Sequence, residues 1–407
     1  METTDEKTKK TPTSTVLIVS VIMVCLVAGG FLGYLTCYST LSKEIGDMEN
    51  QLRTLQQQIS GTLPTQNITY LTEANTSVSE LYSQVEQSVV VIRGLTVAYY
   101  DFFGRAYYSQ VQGSGFVYNL TGEYVIVTNN HVVDSAFNIT VTFSNGTAYA
   151  ATVLGSDPYS DLAVLSADAP QTEYSRLEIV SSSTLEVGDP VLVVGTPYGL
   201  AGSMSTGYVS ALGRTLNEES TGGYVIPNVI QTTAPLNPGN SGGPVLNYLG
   251  QVVGIATAIV EDSEGLGFVI PSSTILRELS ELVNTGSYDG HPWLGASGTD
   301  MSYEIAQKIG ANVTYGWLIS QVTSNGPAAK AGLHGGTSQV TVVGSSVTVG
   351  GDIVIAVNGT RITGIDDLSA YLEEYTLPGQ TVELTILRDN QTFTVPLVLE
   401  SRPTAAS

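Results

Sequence analysis

From residue 85 to residue 270 the chain runs as short β-branched stretches separated by Gly, Asn, Ser and Pro. Residues 124–128, 139–143, 162–165, 191–194 and 252–257 are the clearest of them. Runs of this length are too short for buried helices, and so many strands with turn signals between them predict an all-β barrel or sandwich. With 407 residues in all, two or three domains are expected.

One loop within this region carries chemistry. Asn237-Pro238-Gly239-Asn240-Ser241-Gly242-Gly243-Pro244 sets a serine among glycines, where backbone N–H groups can face an anion. A serine hydroxyl attacks only when a base takes its proton. The chain has three histidines, and His131 lies upstream in Thr128-Asn129-Asn130-His131-Val132-Val133. Between the two stands Asp161, leading into the apolar run Leu162-Ala163-Val164-Leu165. Each motif alone is ordinary turn chemistry. Together, the order His131, Asp161, Ser241 is one in which a Ser-His-Asp triad is known to occur. On two barrels, His131 and Asp161 would sit on the first and Ser241 on the second, with the site in the cleft between.

These residues also carry a family resemblance. The segment from Val125 to Val133, the Asp161 motif and Gly239-Asn240-Ser241-Gly242-Gly243-Pro244 resemble the three active-site motifs of HtrA/Deg serine proteases. Gly188-Asp189-Pro190, Gly195-Thr196-Pro197-Tyr198-Gly199, the segment from Ser205 to Ala211 and that from Gly265 to Pro271 are similar to further family segments. Where the family usually has an acid after Gln231-Thr232, this chain has Thr233. The resemblance implies a mainly β, chymotrypsin-like double β-barrel. His131, Asp161 and Ser241 would be catalytic, and the N–H groups of Gly239, Asn240 and Ser241 would form an oxyanion hole. It also implies a loop that can rest misformed and assembly as a trimer.

Downstream, residues 272–283 carry Ile275, Leu276, Leu279 and Leu282 at helical spacing after Pro271, so a helix should close the protease domain. A second domain follows. Trp293-Leu294-Gly295-Ala296, Pro327-Ala328-Ala329-Lys330-Ala331-Gly332-Leu333 and the segment from Gly350 to Gly359 resemble an HtrA-type PDZ domain. Its carboxylate loop would be the N–H groups of Leu294, Gly295 and Ala296. Its groove helix would span residues 366–375, with Leu368 and Leu372 inward. Residues 334–349 form a Gly/Ser/Thr/Val-rich insert.

The N-terminus reads differently. Residues 16–38 are nearly uncharged and long enough to cross a bilayer. Lys7, Lys9 and Lys10 precede them, and Glu44, Asp47 and Glu49 follow, so the remainder should lie outside the cytoplasm. A cleaved signal peptide is the alternative. Leu41, Ile45, Met48, Leu52, Leu55 and Ile59 make an a/d seam for a short coiled coil. A single amphipathic helix lying on the protease is the other reading. The identities at a and d lean towards a dimer, against the trimer of the resemblance.

The expected organisation is a cytoplasmic tail 1–15, a transmembrane helix 16–38, a coiled coil 39–60, a linker 61–80, a trypsin-like protease domain 81–285 and a PDZ domain 286–407. Both cysteines, Cys25 and Cys37, fall in the N-terminal apolar stretch, which leaves the domains without a disulfide. Eight Asn-x-Ser/Thr sequons fit an outside location: Asn67, Asn75, Asn119, Asn138, Asn145, Asn312, Asn358 and Asn390.

The net charge of −22, from 37 acidic against 15 basic residues, excludes a nucleic-acid surface. The histidines are far apart in sequence and no Cys-x-x-Cys or His-Glu-x-x-His occurs, so no metal and no cofactor is expected. Expected partners are unfolded or misfolded proteins as substrates, C-terminal peptides at the PDZ domain, the membrane, and further copies of the chain. Two other functions remain open. One is a chaperone or PDZ scaffold with latent protease activity. The other is a regulatory protease with a single membrane-protein substrate. The specificity wall is expected from residues 252–258 and the loops at 233–239 and 259–266. Small Ala256 and Ala258, with no acid in their strand, suggest by analogy with the family cleavage after small or medium aliphatic residues, while Asp262 and Glu264 nearby leave a basic preference open.

Overall fold

The computed structural model describes residues 77–196, 202–217, 225–259 and 266–403, and Lys43. The transmembrane, coiled-coil and cysteine expectations, Asn67 and Asn75, and most of the expected linker lie outside these residues. No helix among the described residues is long and apolar enough to cross a membrane.

The first element is helix α1 (Val78–Val85), which begins inside the segment read as linker. Ser77 and Glu80 explain the start. Each side chain bonds the other's backbone N–H, a reciprocal cap of two otherwise unpaired donors. Leu81 and Val85 then bury one face of the helix.

Strands β1 (Val89–Tyr100), β2 (Ala106–Leu120), β3 (Glu123–Thr128), β4 (Phe137–Thr142), β5 (Ala148–Asp157) and β6 (Leu162–Ala167) close into one barrel, in the order β1-β2-β3-β6-β5-β4. Strands β7 (Pro190–Gly195), β8 (Ser203–Asn217), β9 (Val225–Thr232), β10 (Pro244–Leu246), β11 (Val252–Ile259) and β12 (Gly267–Pro271) close into another, in the order β10-β11-β12-β9-β8-β7. Val90, Ile92, Val117, Ile126 and Leu165 fill the first barrel. A second cluster runs between the barrels and joins Phe116 and Leu162 to Leu192, Ile255 and Ile270. The two barrels therefore share a core, as one packed unit.

Helix α2 (Asn130–Val133) is a single turn between β3 and β4. Helix α3 (Ser272–Thr285) follows β12 and ends on Gly286 in left-handed backbone. Ile275, Leu279 and Leu282 are buried as their spacing requires. Leu276 is 44% exposed, whereas the acidic Glu278 is fully buried.

The second domain holds β13 (Pro292–Trp293), β14 (Ala296–Asp300), helix α4 (Tyr303–Ile309), β15 (Trp317–Val322), helix α5 (Pro327–Lys330), β16 (Ser338–Val342), β17 (Ser345–Val349), β18 (Ile353–Val357), β19 (Thr360–Arg361), helix α6 (Ile365–Tyr375), β20 (Thr381–Arg388), β21 (Gln391–Val398) and β22 (Glu400–Ser401). Its main sheet runs β14-β15-β18-β20-β21, which leaves β14 on an edge. The Gly/Ser/Thr/Val-rich insert is the β16–β17 hairpin.

Candidate active site

The pairing of β3 with β6 puts Asp161 beside His131. Thr128 faces Ala163 in register, so His131 and Asp161 fall just past the adjoining strand ends. Asp161 Oδ2 lies 2.8 Å from His131 Nδ1, and Oδ1 accepts from the His131 backbone N–H at 2.9 Å. Thr257 Oγ1, on β11 of the second barrel, donates to Asp161 Oδ2 at 2.5 Å. Asn129 holds the N-cap position of α2, yet its side-chain amide is turned to the Asp161 carbonyl at 2.9 Å. Asp161 is thus fixed from four directions and is 1% exposed. Its φ of 53° is a left-handed conformation that a non-glycine residue adopts only when its surroundings impose it.

The loop that carries Ser241 is a tight turn. Asn240 N–H donates to Asn237 O at 2.9 Å across Pro238 and Gly239, and Gly239 has φ 98°. Proline followed by a positive-φ glycine is the sequence a type II turn requires. This narrows the expected oxyanion hole. The Asn240 amide is taken by Asn237 O. The amides of Gly239 and Ser241 bond no acceptor among the described residues.

Ser114, on β2 of the first barrel, holds this loop in place. Its N–H donates to Ser241 O at 2.8 Å and its hydroxyl to Gly239 O at 2.6 Å. Thr196 N–H donates to the same hydroxyl at 2.9 Å. The approach is so close that a Cβ on Gly242 would stand 2.1 Å from Ser114 O, at a backbone φ of 86°. Ser241 Oγ donates to Thr257 O at 2.7 Å. Thr257 therefore bonds both Asp161 and Ser241. Sequence reasoning missed its role and that of Ser114, because only the docking of the two barrels brings them to the site.

On the expected specificity wall, Leu236 sits against Gly267 of β12. The wall residues 260–265 lie outside the described residues.

In the second domain, Leu294 O accepts from Ala328 N–H and Gly295 O from Thr323 N–H, both at 2.9 Å. A trans peptide sets its N–H opposite its C=O, so the Gly295 amide points away from α5 and the Ala296 amide away from Thr323. A cleft of about 160 Å³ opens there, lined by Trp293, Leu294, Ala296, Leu368 and Leu372, with Thr215 and Pro227 of the second barrel on its far side.

A second polar cluster joins the domains. His291 is 2% exposed and carries a carboxylate on each ring nitrogen: Glu373 of α6 at 2.5 Å on Nδ1 and Asp157 of β5 at 2.6 Å on Nε2. Burial works against a charged ring, but these two bonds outweigh it and raise the pKa to about 10. Ser160 Oγ lies 2.7 Å from Asp157 and 2.6 Å from Glu278 of α3. Arg277 reaches Glu278 at 2.6 Å. Burial, together with the Asp157 charge, pushes Glu278 up to about 8. Ligand-type atoms of Asp157, Glu278 and His291 come within 4.8 Å of one another, a grouping the sequence did not suggest. With both His291 nitrogens bonded to carboxylates and Arg277 alongside, these residues fit an ion-pair network.

Residues 113–255 match the Trypsin-like peptidase domain family and residues 292–399 the PDZ domain family. The fold is thus that of a trypsin-like peptidase joined to one PDZ domain. The chain belongs to the HtrA/Deg family of serine proteases, as its relatives show. It is 36% identical over 328 residues to Protease Do-like 1, chloroplastic, of Arabidopsis thaliana, an alignment covering 79% of this chain and 71% of that one. It is 35% identical over 295 residues to a probable periplasmic serine endoprotease, DegP-like, of Brucella suis, covering 72% of this chain and 53% of the relative. The chain thus spans about half the length of that relative. The solved structure of the HtrA-type protease AlgW with a decapeptide superposes with a TM-score of 0.60 at 26% identity, over 81% of this chain and 99% of that one.

Proposed function

We propose that this chain is a serine endopeptidase that hydrolyses unfolded or misfolded exported proteins and reads C-terminal peptides through its PDZ domain. The observation that carries the reading is that Thr257 of the second barrel bonds both Ser241 and the Asp161 that holds His131. Ser241 exchanges its bond to Thr257 O for one to His131 and attacks the peptide carbonyl. His131 takes the proton and passes it to the leaving amine. Asp161 holds the ring tautomer and stabilises the imidazolium. The amides of Gly239 and Ser241 receive the oxyanion, each worth about 3 kcal/mol in the transition state. The serine bond to Thr257 O supports a resting state that substrate must displace.

Leu236, Ala256 and the acid-free β11 favour small or medium aliphatic side chains before the cut. A peptide adds as a strand on the open edge of β14, its carboxylate on the Gly295 and Ala296 amides and its last side chain between Leu368 and Leu372. The apolar stretch 16–38 anchors the chain with both domains outside the cytoplasm, and the chain assembles as a homo-oligomer.

The test is purified residues 39–407 and their Ser241→Ala variant with unfolded casein. Cleavage by the parent alone is expected. Cleavage by neither folded protein would favour the chaperone or scaffold reading. Product sequencing that places most cuts after Lys or Arg would overturn the aliphatic preference.

A further inference from the structure

The inter-domain cluster reaches the catalytic acid through one short turn, Asp157-Pro158-Tyr159-Ser160-Asp161. Asp157 organises that turn. Its Oδ1 accepts from Tyr159 N–H at 3.0 Å, and its Oδ2 accepts from Ser160 N–H at 3.3 Å and Ser160 Oγ at 2.7 Å. The turn delivers Asp161 in its left-handed conformation. Asp157 is 2% exposed, and a carboxylate buried so deeply persists only when paired. Its partner, His291, lies outside the protease barrels and is itself held by Glu373 of the groove helix.

We propose that Asp157, clamped by His291 and Glu373, is a positioning residue for Asp161. The inference rests on the catalytic roles proposed for His131, Asp161 and Ser241.

Charge and proton counts agree with it. Arg277 and His291 are the cations, and Asp157 and Glu373 the anions. The cluster balances only with Glu278 neutral. The Ser160 hydroxyl has one proton for two carboxyl oxygens, so a protonated Glu278 supplies the second hydrogen bond. Asp157 of β5, Arg277 of α3, Tyr288, His291 and Glu373 of α6 are the charged or titratable groups that bear on Glu278. Ionising it would set a second carboxylate against Asp157 at the base of the turn. Glu373 also lines the peptide cleft, which places one end of the clamp within reach of a bound peptide.

The experiment compares full-length parent, Ser241→Ala, His291→Gln, Asp157→Asn/His291→Gln and Glu278→Gln on fluorescent casein between pH 5 and 9. His291→Gln leaves Asp157 charged and unpaired. Its kcat is expected to fall about tenfold to a hundredfold with KM nearly unchanged, since small misplacements of a catalytic group cost that much. The double variant carries no unpaired charge and should recover most of the loss, a coupling that independent sites would not show. The parent should lose activity as pH rises through about 8, and Glu278→Gln should not. Parental kcat and pH profile in His291→Gln would overturn the proposal. Should that variant fail to fold, an alkaline fall unchanged in Glu278→Gln would overturn it instead. Absence of Ser241-dependent cleavage in the parent would sink the catalytic reading, a result distinct from either.

Discussion

His131 and His291 each hold a buried carboxylate, yet their surroundings set them apart. The His131 side chain is 20% exposed and has Asp161 on Nδ1. The His291 side chain is 3% exposed and has a carboxylate on both nitrogens. A histidine between two buried carboxylates is locked as a cation and cannot trade protons near neutral pH. A partly exposed histidine with a carboxylate on one ring nitrogen can act as a base. The aspartates also differ in place: Asp161 sits on Nδ1 of His131 at 2.8 Å, whereas Asp157 sits on Nε2 of His291 at 2.6 Å and Glu373 takes its Nδ1.

The largest expected effect separates the two histidines outright. His131→Ala or Ser241→Ala should lower kcat by about 10⁶-fold, as triad members act as a unit. His291→Gln should retain most of that rate enhancement, and equal losses in steady-state rates on casein would break the comparison. Asp161→Asn should cost about 10⁴-fold through the wrong imidazole tautomer. Thr257→Val removes the hydroxyl on Asp161 Oδ2 but keeps the carbonyl that bonds Ser241. A roughly tenfold lower kcat and a loss of about 1–3 kcal/mol in chemical denaturation are expected, because a buried carboxylate loses a donor.

Melting temperature against pH probes the second histidine. The His291 pKa is raised from 6.5 to about 10 and that of Glu278 from 4.5 to about 8. Stability from His291 is therefore complete below pH 6.5 and lost as pH rises through 10. That from Glu278 is complete below 4.5 and lost through 8. The melting temperature should decline on going from pH 7 to 10, and Glu278→Gln should flatten the part below 8. A rise over that interval would contradict the assigned protonation states. The smallest effect belongs to Arg214, which pairs with Asp366 of α6 at 3.0 Å and is 52% exposed. Arg214→Ala should cost less than about 1 kcal/mol, as a solvated pair at the same domain junction.

The candidate residues His131, Asp161 and Ser241 were legible because each sits in a local motif of its own. Asn240 shows where such reading stops. The sequence offers three consecutive amides as oxyanion donors, but the turn that Pro238 and Gly239 form consumes the middle one. On α3, spacing marked Leu276 as core, and the structure buries Glu278 instead, because Ser160 arrives from a distant turn to receive it beside Arg277 of its own helix. Helix α1 was hidden by a polar composition that suggested a linker, although its cap, Ser77 with Glu80, is a readable signal.

The sequence by itself determined the strand-rich architecture, the order of His131, Asp161 and Ser241, and the turn chemistry around the nucleophile. These depend on residue types a few positions apart. Only the tertiary structure decided that Thr257 and Ser114 reach the candidate site, that Thr215 and Pro227 line the cleft beside α6, and that His291 bonds Asp157 across 134 positions of chain. A hydrogen bond between distant segments leaves no periodicity or spacing in either one, so it exists only once the barrels and the PDZ domain are packed together.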